Sequence, residues 1–338
     1  MPAMPLRRVR RPFLIATVTA ISCAAVAGGL VMWHLRGSGD GSDSCDILLQ
    51  DTRVHKALGD GYKAGMNCSE LGAAIRNAAV GTVDPSDPEG HSLRQAQAMK
   101  NVLVAVEDSL RETGEHLDPE LRMPLAESLA AYRADTHVIL GLGDADYVRH
   151  ALPNQPAWEN DSGVHMSLSR DSLLRIVRSV SEDPAAYVTL RDATTQRAAQ
   201  ELASVSSDTT GAELIAPPAR SSSVLGTFDA VADDVRRDLD NTRAEEWQQD
   251  VLSASTKVDS VPPPYAEDPV SHLVGSWRRT LRESGEASSA EVFERQSAAM
   301  VDTWSSALGL DDKTRSSLRE DAASDSFQAR REALRKLS

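Results

Sequence analysis

The chain has 338 residues, 36 of them basic and 50 acidic, for a formal charge of −14; 41% are hydrophobic and only 4% aromatic. This is globular composition with a lean core. The acidic balance excludes a nucleic-acid partner, whose phosphates need clustered Lys and Arg.

Residues 1–12 hold Arg7, Arg8, Arg10 and Arg11 and no acid, and are expected to be a basic cytoplasmic segment. Phe13 to Leu35 follows as a run of 23 positions whose only titratable side chains are Cys23 and, near its far end, His34. A bilayer-spanning helix needs about 20 such residues. Trp33 sits where an interfacial aromatic belongs, so Phe13, Trp33 and Leu35 mark the ends of a transmembrane helix over 13–35 in contact with membrane lipid. Positive charge on the inner side puts everything beyond Leu35 outside the cytoplasm. With the four arginines set apart, the remaining chain carries 32 basic against 50 acidic residues, a charge of −18. Three other readings stand beside the anchor: a signal peptide cleaved after Ala25 and Ala27, a twin-arginine export signal at Arg10-Arg11, and a lipoprotein box ending at Cys23.

Residues 36–44 have the Gly, Ser and Asp content of a flexible tether. Cys45 and Cys68 are the two cysteines beyond the apolar run, and an exported pair in an oxidising space reads as a disulfide. Past them the signals are helical. Met99, Val102, Leu103, Val106 and Leu110 recur at spacings of three and four. Comparable apolar faces are Leu173, Leu174, Val177 and Val180; Tyr187, Leu190, Ala193 and Leu202; Val224, Phe228, Val231, Val235 and Leu239; Val270, Leu273, Val274, Trp277 and Leu281; and Met300, Val301, Trp304 and Leu308. Leu318, Leu334 and Leu337 mark a more polar last helix. Helix starts are signalled by Asp118-Pro119, Asp183-Pro184, Asp268-Pro269 and the pair Ser288 and Glu291. No apolar–polar alternation bounded by turns marks a strand. The expected fold is all-α: a transmembrane helix followed by an extracytoplasmic multi-helix bundle. Its expected parts are a helical subdomain over 45–205, a linker over 206–222 around Pro217-Pro218, and a second helical subdomain over 223–338.

The search for chemistry assigns no catalytic, cofactor-binding or metal-ligating residue. The eight histidines never pair at helical ligand spacing, and there is no Gly-x-Ser-x-Gly elbow, phosphate loop or dinucleotide fingerprint. His137, preceded by Asp135, has the look of an imidazole beside a carboxylate, but also of a plain helix residue. Asp144 with Asp146, Asp233 with Asp234, and Glu245 with Glu246 are the carboxylate pairs a cell-wall glycosidase could use, but the aromatics that would line its groove, Trp158, Trp247, Tyr265, Trp277 and Trp304, are scattered. Arg330, Arg331, Arg335 and Lys336 give the C-terminus a basic end suited to a helix dipole or to anionic lipid.

The segment Leu173–Leu202, with an apolar helix, Asp183-Pro184-Ala185-Ala186-Tyr187 and a second helix, resembles an uncharacterised helical domain family of actinobacterial exported proteins. Met123–Leu140 and Ser221–Leu239 are similar to neighbouring stretches of that family. The resemblance spans about residues 45–285 and implies a setting beside type VII secretion and polymorphic toxin genes, with no catalytic residue to carry over. The expectation is therefore a membrane-anchored interaction protein of the cell envelope, held on one side by lipid and meeting another envelope or secreted protein. A cell-wall hydrolase and an immunity protein that masks an exported toxin are the alternatives.

Overall fold

Helices in this chain begin where a short polar side chain captures the first free amides. The computed structural model describes residues 44–81, 90–114, 116–141, 143–257, 261–285 and 289–338. Two short helices, α1 (Ser44–Gln50) and α2 (Thr52–Leu58), precede α3 (Cys68–Ala79), where Asn67 and Glu70 form a reciprocal capping box. A second box, Ser92 with Gln95, starts α4 (Leu93–Thr113). The Asp-Pro pairs work as expected: Asp118, Asp183 and Asp268 cap α5 (Pro119–Ala131), α9 (Pro184–Ala203) and α12 (Pro269–Ser284). Between them lie α6 (Arg133–Leu140), α7 (Ala145–His150), α8 (Arg170–Val180), α10 (Ala212–Asp238) and α11 (Asn241–Thr256). The chain ends with α13 (Ser289–Glu294), α14 (Gln296–Ala307) and α15 (Asp312–Leu337). Ser288, the expected cap of α13, lies outside the described residues.

The all-α class holds, with one exception. Trp158–Asn160 (β1) and Gly163–His165 (β2) form an antiparallel hairpin that pairs Trp158 with His165 and Asn160 with Gly163. Three-residue strands are too short to show alternation, which is why the sequence read only a break there.

The apolar stripes pack into two hydrophobic clusters. The larger gathers α1 to α6, α8 and parts of α9, α10 and α11 around the α4 stripe. The smaller joins the end of α9 to α12, α14 and α15 around Trp277 and Trp304. Neither cluster respects the expected boundary, because α9 and α10 contribute to both, and the described residues belong to one compact unit. The 206–222 segment is a linker only in its first few residues. From Ala212 it is helical, and Pro217 and Pro218 lie inside α10. Each proline forfeits one intrahelical hydrogen bond, but both fall within the first two turns, and burial of Val224, Phe228 and Val231 farther along holds the helix against α9 and α15.

Of the expected tether over 36–44, only Ser44 is described, and it begins α1. Ser44 is buried, its Oγ accepts the Asp118 amide at 2.8 Å and its carbonyl accepts from Ser109 Oγ at 3.4 Å, so the fold grips the chain from this residue onward. Arg7, Arg8, Arg10, Arg11, Phe13, Trp33 and Leu35 lie outside the described residues, as does the 13–35 run. Among the described residues no helix is long and apolar enough to cross a membrane.

The basic C-terminal end is not free. Arg330 reaches Asp233 at 2.6 Å and Glu294 at 2.9 Å, Lys336 reaches Asp171 at 3.0 Å, and Glu332 receives Arg170 at 2.9 Å. These pairs tie α15 across α8, α10 and α13.

Candidate functional site

Cys45 and Cys68 form the expected disulfide, with Cα atoms 5.7 Å apart, joining the start of α1 to the start of α3. Cys68, Asp118 and Glu120 bring potential ligand atoms within 4.8 Å of one another. They do not make a metal site, since the Cys68 sulfur is committed to the disulfide and Asp118 Oδ1 caps α5.

The structure separates His137 from Asp135. His137 is fully buried and its Nε2 lies 3.2 Å from Glu201 Oε2 on α9. Burial pushes the Glu201 carboxyl up, but His137, Arg220 and Arg197 together more than offset it and hold the group below its ordinary range. Asp135 turns instead to the hairpin. Its Oδ1 lies 2.9 Å from His165 Nδ1 and accepts from Tyr147 OH at 2.6 Å, while its Oδ2 accepts the Met166 amide at 2.9 Å. On the far side of the imidazole, Nε2 lies 3.0 Å from Ser162 Oγ.

Serine, imidazole and carboxylate thus stand at the distances of a nucleophile, a base and its orienter. Sequence reasoning missed it because the three residues come from α6 and from a hairpin too short to read; the Asp161-Ser162-Gly163 turn beside Trp158 is the one signal that could have found it. The geometry nevertheless closes on itself. Ser162 Oγ donates to Asn160 Oδ1 at 2.7 Å and the Ser162 amide donates to the same oxygen at 2.8 Å, so neither is directed at a substrate. Trp158 completes the packing, stacked on His150 with ring centres 4.4 Å apart and edge-on to Tyr147 at 4.9 Å. The trio clasps the hairpin to α6 and α7.

Two of the other three carboxylate pairs are likewise committed to structure. Asp144 caps α7, and Asp146 meets Arg149 at 2.9 Å. Asp233 pairs with Arg236 and Arg330, and Asp234 with Arg178 and Arg237. Glu245 and Glu246 are exposed on α11. Trp247, Trp277 and Trp304 are buried in the core.

What remains is a cleft of about 480 Å³ between the end of α6, α7, the start of α8 and one side of α15. Val138, Ile139, Ala151 and Leu168 supply apolar wall; Asp144, Asp325 and Glu332 supply three carboxylates against the single cation Arg170. Arg170 is already engaged, donating to the Leu140 carbonyl at 3.1 Å, Glu332 at 2.9 Å and Thr227 Oγ1 at 3.4 Å. Asp325 is half-buried, and burial together with Asp321 raises its pKa. At the mouth, Val148 is 68% exposed, and Leu152, next to the lining Ala151, is 57% exposed. A larger hollow of about 930 Å³ between α2, α3 and α4 has Leu58 as its one large apolar side chain. The first cleft is the surface best built to hold an apolar group beside a charge.

No family model, curated protein or solved structure matches the chain.

Proposed function

We propose that the protein is a single-pass membrane protein of the cell envelope, anchored by residues 13–35, whose acidic helical ectodomain works by contact with another envelope or secreted protein. The contact role rests on one observation: on a surface laced with ion pairs, Val148 and Leu152 stand uncovered at the mouth of a half-apolar cleft. The anchor is supported by the apolar run and its arginine flank, and the outside location by the Cys45–Cys68 disulfide, a bond of oxidising compartments. Service as an accessory to a secretion or toxin system is the setting that the family resemblance implies.

The test is a photo-crosslinking residue placed at Val148 in intact cells, with a second at the exposed Glu245 on α11 as control. The expected result is an adduct with an envelope or secreted protein from position 148 and none from 245, together with digestion of residues beyond 44 by protease added outside sealed cells. Equal adducts from both positions would remove the cleft from the reading, and a protected ectodomain would remove the topology. The hydrolase alternative would draw on the Ser162–His165–Asp135 distances, and it requires Ser162 Oγ to give up its hydrogen bond to Asn160. Labelling of Ser162 by a fluorophosphonate, lost in Ser162→Ala, would promote it above the binding role.

A further inference from the structure

We propose that the cleft beside α15 docks an apolar segment of an extracytoplasmic protein that carries one lysine or arginine, the cation seating against Asp325. The inference rests on the contact reading above and names the chemistry of what is contacted.

The pattern of ion pairing supports it first. Carboxylates facing the interior elsewhere have either a cation or hydrogen-bond donors: Asp192 meets Arg278 at 2.9 Å, Asp229 meets Arg191 at 2.8 Å, Asp234 meets Arg178 at 2.9 Å and Glu201 has Arg220 at 3.3 Å, while Asp135 accepts from Tyr147 and the Met166 amide, and Asp118 and Asp183 cap helices. Asp325 is the exception. It is half-buried, no cation pairs with it among the described residues, and Asp321 stands one turn earlier on the same helix. A carboxylate so placed is destabilised in the free protein, and an incoming ammonium or guanidinium relieves it. The cleft's own cation cannot serve, because Arg170 spends its donors on Glu332, Leu140 and Thr227.

The shape and polarity of the cleft fix the rest. An anionic ligand would meet three carboxylates and no free cation. A purely polar one would leave the exposed Val148 at the rim and the half-buried Val138 in the wall without an apolar partner in the cleft. About 480 Å³ accommodates a few side chains and not a whole helix, within the size range of small recognition sites. A cationic residue flanked by apolar ones satisfies both demands. The net charge of the chain, −14, steers such a partner from a distance.

The experiment uses the full-length protein in lipid nanodiscs and a pooled set of fluorescent decapeptides of leucine and valine, with one arginine at each position in turn. Two control pools replace the arginine by glutamate or the apolar residues by serine, and free arginine methyl ester serves as competitor. The expected result is binding by the arginine pool, about tenfold weaker for either control pool, weakened further by added salt, and displaced poorly by the ester. Asp325→Asn and Val148→Ser should each weaken it by about fivefold with no fall in the thermal midpoint. The inference is overturned by silence of the arginine pool, by equal binding of the glutamate pool, by full affinity in both variants, or by an ester that binds as well as the peptides, which would make this a small-molecule site. Should the crosslink at position 148 capture its partner while the peptides ignore charge, the contact reading stands and the assignment of a cationic segment falls.

Discussion

Two buried cations show how differently side-chain chemistry fits this interior. Arg191 on α9 is almost wholly enclosed, yet its fork is filled: it donates to Tyr187 OH at 2.7 Å, to Gln296 Oε1 at 2.9 and 3.1 Å and to the Phe293 carbonyl at 3.1 Å, and pairs with Asp229. Burial pulls its pKa down, but Tyr187 and Asp229 more than restore it. Lys100 on α4 is 1% exposed and donates to one neutral group, the His150 carbonyl, at 2.6 Å. Burial pushes its ammonium down to about 8 from 10.5. The folded state therefore binds fewer protons than the unfolded chain between these values, and the cost of keeping Lys100 charged, about 3 kcal/mol, is present below pH 8 and lifts as pH rises to 10.5. Lys100→Met should stabilise the fold at pH 7 by ~1–3 kcal/mol, after allowing for the lost hydrogen bond, and the gain should shrink to nothing by pH 10.5. Urea melts of both proteins across that range check it; a gain that stays constant with pH would show that the charge is not the cause. Sequence could not have marked this residue, since Lys100 sits directly beside the Met99 stripe with nothing local to say how wide the buried face is.

At the scale of elements, legibility followed the size of the side chains. The α4 stripe was visible because Met99, Val102, Leu103, Val106 and Leu110 are large, apolar and regularly spaced, and all are buried. The last helix was read from Leu318, Leu334 and Leu337, but its buried seam is Leu318, Ala322, Ser326, Ala329 and Ala333. Small residues there let α15 lie close against α10, the most extensive helix contact in the fold. Gly226 marks the closest approach: a Cβ at that position would stand 2.0 Å from the Ser326 carbonyl oxygen. In an exposed helix Gly→Ala would gain up to about 1 kcal/mol. Here it should cost about 3 kcal/mol, because backbone, not a movable side chain, is in the way. Gly226→Ala with Ser326→Gly should be no better, whereas a rescue in chemical denaturation would place the collision on the Ser326 side chain. The cleft was hidden for a related reason: its walls come from residues 138–170, 223 and 325–332, and a periodicity reports only the face of its own helix.

On the level of the whole molecule, the sequence foresaw an all-helical build and one covalent closure, and missed how the two halves interlock. Proline pairs and loop composition suggested a seam at 206–222, but long helices with stripes on more than one side, α9 and α10, bridge both clusters. The Cys45–Cys68 bond closes a loop of 23 residues, which the chain-entropy account values at about 3 kcal/mol. Reduction, or Cys45→Ser with Cys68→Ser, should lower stability by ~2–4 kcal/mol, read as a lower midpoint in a thermal scan with and without reductant. If the midpoint does not move, α1 and α3 are held by packing alone.

The position of that bond has a mechanical consequence. Ser44, the first gripped residue, adjoins Cys45, so any tension arriving along the chain from its amino end meets a covalent link almost at once. Force then divides between α1 and the start of α3 instead of peeling one short helix off the bundle. A pulled molecule should resist until its interior yields as a block, and with the sulfurs reduced it should first release residues 44–68 as a separate, weaker step.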